Sequence, residues 1–384
     1  MPKKTATVDY ADEVQLVHSG DDYFKKLKKL IADAKRELHI QTYIFENDDT
    51  GNSIAAELIK AAQRGVKIFV LLDSYGSSSF KNKAPELLKN KIHLRFFAPL
   101  FTYKNIYFGR RLHHKIVVAD GAVALIGGIN IADKYKGTAT EKAWLDYAVF
   151  VRGEVCKKLQ KICADFYYHN RSKRKSHALH STDITHKIPV KISQNDWLNY
   201  KNEISTAYLR AIGNAKTEII ILGSYFIPGF KFRKALKKAA TRGVKIKILL
   251  SGISDVPLIK YATRYMYSFL FKNNIEIYEW PHSVMHGKAA VVDGRWSTVG
   301  SYNINWLSAY SSIEMNIEVH DVAFSAQFSA HLRDILSSSR KISHEQFRIE
   351  QSFLDRVKSW LSFYLVRTSI VILSAYVNRK GMGD

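Results

Sequence analysis

The chain has 384 residues, 46% hydrophobic and 12% aromatic, which excludes a disordered polyelectrolyte and supplies apolar material for two cores. Its 58 Lys and Arg against 35 Asp and Glu give a formal charge of +23, which requires a polyanionic partner, either nucleic acid or an acidic membrane surface. Two cysteines, Cys156 and Cys163, sit seven apart without a Cys-x-x-Cys pair, so neither a disulfide framework nor a zinc site is supported.

The N-terminus runs Met-Pro-Lys-Lys into polar sequence without the apolar stretch of a secretory signal, so the expected location is the cytoplasmic side. Residues 21–36 space apolar side chains at three and four behind two acids, which predicts an amphipathic helix. A strand over 38–45, a helix over 50–64 stopped by Gly65 and a buried strand over 66–72 follow. That order predicts an α/β layer with a largely parallel sheet. Residues 112–120 then read Leu-His-His-Lys-Ile-Val-Val-Ala-Asp, a β-branched run suited to a buried strand. Strand alternation puts His113 and Lys115 on one face and His114 on the other, where it packs. Asp120-Gly121 is a hairpin signal, and Gly127-Gly128-Ile129-Asn130 lies six residues beyond.

Residues 171–187 are polar, basic and aperiodic, the expected linker. Beyond it the scheme returns, with a helix over 201–215, a strand over 218–226, a helix over 230–242 and a strand over 244–250. Ala-Ala-Gln-Arg-Gly-Val-Lys-Ile at 61–68 reappears as Ala-Ala-Thr-Arg-Gly-Val-Lys-Ile at 239–246. Met-His-Gly-Lys-Ala-Ala-Val-Val-Asp at 285–293 repeats the first motif and leads into Gly300-Ser301-Tyr302-Asn303. Both copies read His-x-Lys-x-x-x-x-Asp at identical offsets, which indicates duplication. His282 lies outside the repeat and is set aside. Residues 360–377 are apolar but carry Arg367, too short and too charged to span a bilayer. A helical projection puts Asp355, Lys358, Ser359, Ser362 and Ser369 on one side, with Trp360, Phe363, Tyr364, Ile370 and Val371 on the other. This predicts a helix lying in a headgroup interface, with docking on the core as the alternative.

Paired imidazoles can divide the work of nucleophile and general acid at phosphorus, while paired lysines hold the non-bridging oxygens as charge builds. The reaction class is therefore transfer at a phosphodiester through a phosphohistidine. Asp120 and Asp293 stand at an odd offset and precede glycines, so within the motif they are read as holding strand ends. The glycines let the backbone approach phosphate, and Asn130 and Asn303 can donate to it. A metal site built from His113, His114 and His286 is disfavoured, because two lysines would repel the cation.

The double motif resembles that of the phospholipase D superfamily, and the chain as a whole resembles the bacterial cardiolipin synthases of the B type, which lack N-terminal transmembrane helices. Supporting stretches are Gln-Thr-Tyr-Ile-Phe at 41–45, Tyr-Phe-Ile-Pro-Gly at 225–229 and the aromatic, basic tail after 350. The resemblance implies two homologous α/β/α sandwich domains with mixed, largely parallel sheets and one site at their interface. It implies no metal and no cofactor. It places His113, Lys115, Asp120, His286, Lys288 and Asp293 in the catalytic motifs, with His113 as nucleophile and His286 as general acid. Asn130, Asn303, Ser301 and Gly128 are expected at the substrate phosphate, although Gly128 lacks the hydroxyl that Ser301 supplies. Asp146 and Glu314 are expected to orient the histidines. The expected domains are 1–170 and 191–345, with a linker over 171–190 and a membrane-interacting segment over 346–384. The implied activity is phosphatidyl transfer between two phosphatidylglycerol molecules, giving cardiolipin and glycerol at the cell membrane without nucleic acid. Hydrolysis of phospholipids and a nuclease or phosphodiesterase on the same fold are the alternatives.

Overall fold

The structure is a computed structural model that describes residues 8–98, 101–102, 105–106, 110–168, 187–199, 201–305 and 312–380. Most of the expected linker, 171–186, lies outside the described residues. The expected helices form where their periodicity puts them. Asp21–Asp33 opens on two acids and buries Tyr23, Phe24, Leu27, Leu30 and Ile31. Asp49–Gln63 is capped by the Asp48 side chain, which accepts from the Gly51 amide at 2.8 Å. Cys156 and Cys163 are buried free thiols on one helix, Val155–Tyr167.

Each half carries one sheet. In the first the strand order is Glu13–His18, Tyr147–Arg152, Val123–Gly127, Lys115–Ala119, Glu37–Thr42, Lys67–Asp73, His93–Phe97. The second repeats it with Ile188–Asp196, Ser312–Val319, Trp296–Gly300, Lys288–Val292, Glu218–Gly223, Lys245–Ile253 and Glu276–Val284. Both sheets are mixed. Within each half parallel pairing is confined to the strands of the β-α-β segments, and the motif strands pair antiparallel on both sides. The parallel share is thus smaller than the β-α-β pattern suggested, because the Asp-Gly turns fold each motif strand back on its neighbour. Asp120 and Gly121 both have positive φ, at 55° and 62°, as do Asp293 and Gly294, at 54° and 60°.

The sheets share a core. Ile116, Val118, Tyr147 and Val149 of the first half pack in one cluster with Leu222, Ala289, Val291, Met315 and Ile317 of the second. At about 1.5–3 kcal/mol for each large buried side chain, this joins the halves as one body. The N-terminus crosses the expected 1–170 boundary. Asp9–Ala11 pairs with residues 188–190 in the second sheet, whereas Glu13–His18 pairs with Tyr147–Arg152 in the first.

The last helix, Phe353–Lys380, docks on the core along one side. Ser359, Ser362, Phe363 and Val366 are buried, and Phe363 stacks on Tyr265 of the helix Pro257–Tyr265 at 4.5 Å. Phe353, Leu354, Trp360, Leu361 and Leu365 remain exposed. The projection of the tail is corrected here. Ser359 and Ser362, expected on the wet face, face the core beside Phe363, and the exposed apolar side chains stand among exposed Arg356, Lys358 and Arg367. Among the described residues no helix is long and apolar enough to cross a membrane.

Asp120 holds its turn to the next strand. Its carboxylate accepts from the amides of Lys35, Arg36 and Glu37 at 2.8–2.9 Å. Burial opposes ionisation, but these donors outweigh it and hold the carboxyl below its ordinary value. Asp120→Ala should cost about 1–2 kcal/mol, read as a lower thermal midpoint. The stability from Asp120 is present above the unfolded carboxyl's pKa and is lost as pH falls through the depressed folded value. The gap between the two proteins should therefore close in acid.

Candidate active site

The chain reaches the first motif through a short strand, Arg111–Leu112, which pairs parallel with Ser312–Ile313 of the second half. The His113 amide donates to the Ile313 carbonyl at 3.0 Å. The next residue, Glu314, then brings Oε2 to 2.9 Å from His113 Nδ1. The second motif mirrors this. The amides of His286 and Gly287 donate to the Leu145 carbonyl at 2.8 and 2.9 Å, and Asp146 Oδ2 lies 2.7 Å from His286 Nδ1. Each histidine is therefore oriented by the acid of the other half. The sequence indicated both acids and both histidines, but spacing along the chain carries no sign of the crossing.

Nδ1 being engaged, Nε2 is the nitrogen that each ring presents to the pocket. Lys115 and Lys288 donate back to the carbonyls of His113 and His286, and Lys288 Nζ also lies 3.0 Å from His286 Nδ1. The His113 side chain is 16% exposed and that of His286 only 7%. Burial, reinforced by Lys115 and Lys288 and opposed by Glu314, lowers the His113 pKa. Burial and the two lysines lower that of His286 well below the ordinary value. Burial also pulls Lys115 down to about 7 and Lys288 to about 8, and pushes Asp146 up to about 7. These lysines and acids act on each other across the halves, so the two motifs share one electrostatic site.

The other expected residues separate by place. Asp120 and Asp293 stand at the far ends of their strands, and their carboxylates are used by backbone amides. Asp293 accepts from Lys216, Thr217 and Glu218 at 2.8–3.0 Å. Their inclusion in the catalytic set is corrected to the strand-end role that their offset indicated. Gly128 is small for a different reason than phosphate approach. A Cβ there would sit 2.3 Å from Asp146 Oδ1, so the carboxylate lies against the glycine backbone. Ser301 is fully buried and donates to Glu314 Oε2. Asn130 is buried, accepts from the Ile44 amide at 3.0 Å and donates to the Tyr135 hydroxyl at 2.7 Å. Asn303 accepts from Ser224 Oγ at 2.8 Å. His114 is buried against Gln41, 2.8 Å away, and burial takes its pKa to about 3. His282 lies against the Ser338 carbonyl, at 3.2 Å.

Four aromatic residues of the site were not singled out from the sequence. Tyr43 lies edge-on to His113 with ring centres 5.0 Å apart. Tyr135, Trp144 and Tyr225 surround His286 at 5.3, 5.8 and 6.3 Å. Two of them were legible in principle. Thr42-Tyr43 and Ser224-Tyr225 each follow the strand beside the motif strand, and each hydroxyl donates to the Asn of its own half.

A duplicated mixed-sheet fold with crossed histidine and carboxylate pairs at its seam defines the phospholipase D-like class. The chain belongs to the family described as cardiolipin synthase, PLD-like domain, which matches residues 27–166 and 208–336. It is 32% identical over 364 residues to cardiolipin synthase B of Escherichia coli strain K12, covering 93% of this chain and 88% of that relative. It is 29% identical to the minor cardiolipin synthase ClsB of Bacillus subtilis strain 168, covering 91% and 87%. The fold is also that of phosphatidylserine synthase from Haemophilus influenzae, with a TM-score of 0.74, 13% identity and 97% of each chain covered.

Neutral histidine and charged lysine together set the working pH. The acid limb of kcat/KM should lie below pH 6.5, because burial keeps His113 unprotonated there. The alkaline limb should fall between about 7 and 8, where Lys115 and Lys288 lose their charge. A bound phosphodiester anion favours charged lysine, so the alkaline limb of kcat should lie above that of kcat/KM. Initial rates across pH test both.

Proposed function

We propose that this enzyme transfers a phosphatidyl group from one phosphatidylglycerol to a headgroup hydroxyl of a second, giving cardiolipin and glycerol. The observation that carries the reading is the crossed site, two histidines each backed by the other half's acid, in a chain related along nearly its whole length to cardiolipin synthases.

In the first step His113 Nε2 attacks phosphorus. The bond from phosphorus to the glycerol oxygen breaks, and His286 Nε2 gives that oxygen its proton. In the second, an acceptor hydroxyl oxygen attacks phosphorus as the phosphorus–nitrogen bond breaks, and His286 takes the hydroxyl proton. Glu314 holds His113 through Nδ1 with Nε2 free to attack, and Asp146 holds His286 through Nδ1 so that Nε2 carries the proton it donates. Lys115 and Lys288 receive the charge on the non-bridging oxygens. Burial disfavours a charged His286 in the free enzyme, and the negative charge of the substrate phosphate restores its proton affinity. Asn130 acts through Tyr135, whose ring packs on His286, and Ser301 acts through Glu314.

The enzyme works as a peripheral protein on the cytoplasmic face of an anionic membrane. The exposed apolar stripe of the last helix supports this, as do Lys231, Lys234, Lys237 and Lys238 of the helix Phe230–Thr241. These four lysines are exposed and form no ion pair among the described residues. Apolar burial combined with attraction to anionic headgroups is the usual basis of interfacial binding.

Incubated with vesicles of labelled phosphatidylglycerol, the protein should yield labelled cardiolipin and free glycerol. Phosphatidic acid as the sole product would show a hydrolase instead. Under an acid-free quench His113→Ala should form no phosphoenzyme, whereas His286→Ala, lacking the acid of the first step and the base of the second, should both form and discharge it slowly. Truncation after residue 350 should abolish sedimentation with anionic vesicles, whereas undiminished binding would place the membrane contact elsewhere.

A further inference from the structure

The two halves differ at the end of the second parallel strand. In the first half that strand ends on Asp73, whose carboxylate is fully employed. Oδ1 accepts from the amides of Tyr75 and Gly76 at 3.0 and 3.1 Å, Oδ2 accepts from Leu112 at 3.0 Å, and Arg111 lies 3.6 Å away. In the second half Ser251 stands at that position and accepts from the Met285 amide at 2.9 Å, and the loop beyond it carries Asp255, which is exposed. Its one hydrogen bond among the described residues comes from the Tyr225 hydroxyl to Oδ2, at 2.6 Å. No cation pairs with it among those residues.

Asp255 nevertheless belongs to the pocket. Tyr225 presents its ring edge-on to His286. Burial depresses His286 and Lys288, and Asp255 works against that depression in both. A free carboxylate beside a phosphate site repels phosphate, so it serves another part of the substrate. Its chemistry is to accept hydrogen bonds from hydroxyl groups. The Tyr225 oxygen, with its proton committed to Asp255, keeps lone pairs to accept a second one. Two adjacent acceptors next to the general acid and base suit two neighbouring hydroxyls of one alcohol.

We propose that Tyr225 and Asp255 form a polyol subsite, which binds vicinal hydroxyls of the glycerol headgroup as it leaves or attacks beside His286. This rests on the transfer reading above and adds to it the basis for choosing a polyhydroxy acceptor over water or a simple alcohol. A site built to bond a hydroxyl discriminates strongly against a ligand that lacks it.

The test is a competition in one tube. Full-length protein is given vesicles of phosphatidylglycerol with deuterated glycerol and 1-propanol at equal concentration. The ratio of deuterated phosphatidylglycerol to phosphatidylpropanol is then read by mass spectrometry. This ratio is independent of how much active enzyme is present. Wild type should favour glycerol, and Asp255→Asn and Tyr225→Phe should each lower the ratio about tenfold, the worth of one hydrogen bond to a charged group. Tyr225→Phe keeps the ring against His286, so its ratio decides the matter if Asp255→Asn makes no product. A wild-type ratio in Tyr225→Phe, or in both variants, overturns the subsite. If wild type makes neither product, phosphatidyl transfer itself fails, and the subsite fails with it.

Discussion

The crossed pairing of His113 with Glu314 and of His286 with Asp146 is the constraint on which the site depends. A buried acid is costly unless an opposite charge or a donor meets it, and here each acid meets the histidine carried by the other sheet. The backbone anchors from His113 to Ile313 and from His286 to Leu145 set these distances before any side chain is placed. The shared core beneath them joins the two sheets, so both imidazoles stand at one seam.

Charge balance follows from the same arrangement. Two lysines and two acids are buried together at the seam, and their charges nearly cancel in the free enzyme. The long-range pull on anionic substrate therefore comes from the outer surface, where the excess of +23 resides.

Much of this was legible locally. The Asp-Gly turns and the repeated offsets are properties of single elements, and the fold respects each. The motif strands instead begin at Lys115 and Lys288 and leave the histidines just before them, outside the expected alternation. What escaped depends on partners far apart in the chain. His113 and Glu314 are 201 residues apart, and no periodicity records which acid of two a histidine will meet. Gly128 looked like an opening for phosphate because nothing in the sequence says that Asp146 lies against it. Ser359 and Ser362 looked like a wet face because a projection treats the helix as alone, whereas Tyr265 and Met266 supply a wall that covers one side of it.

Reciprocal donation across a pseudo-twofold axis is also the geometry of an isologous dimer. A single half standing alone would hold a histidine without its acid, so neither half builds this site by itself. In such a dimer any change in one active-site position is forced on both. In one polypeptide the tie is absent, and here one half sets glycine against aspartate while the other sets serine against glutamate. Unlike surroundings for the two imidazoles are thus open to a tandem chain and closed to a symmetric pair.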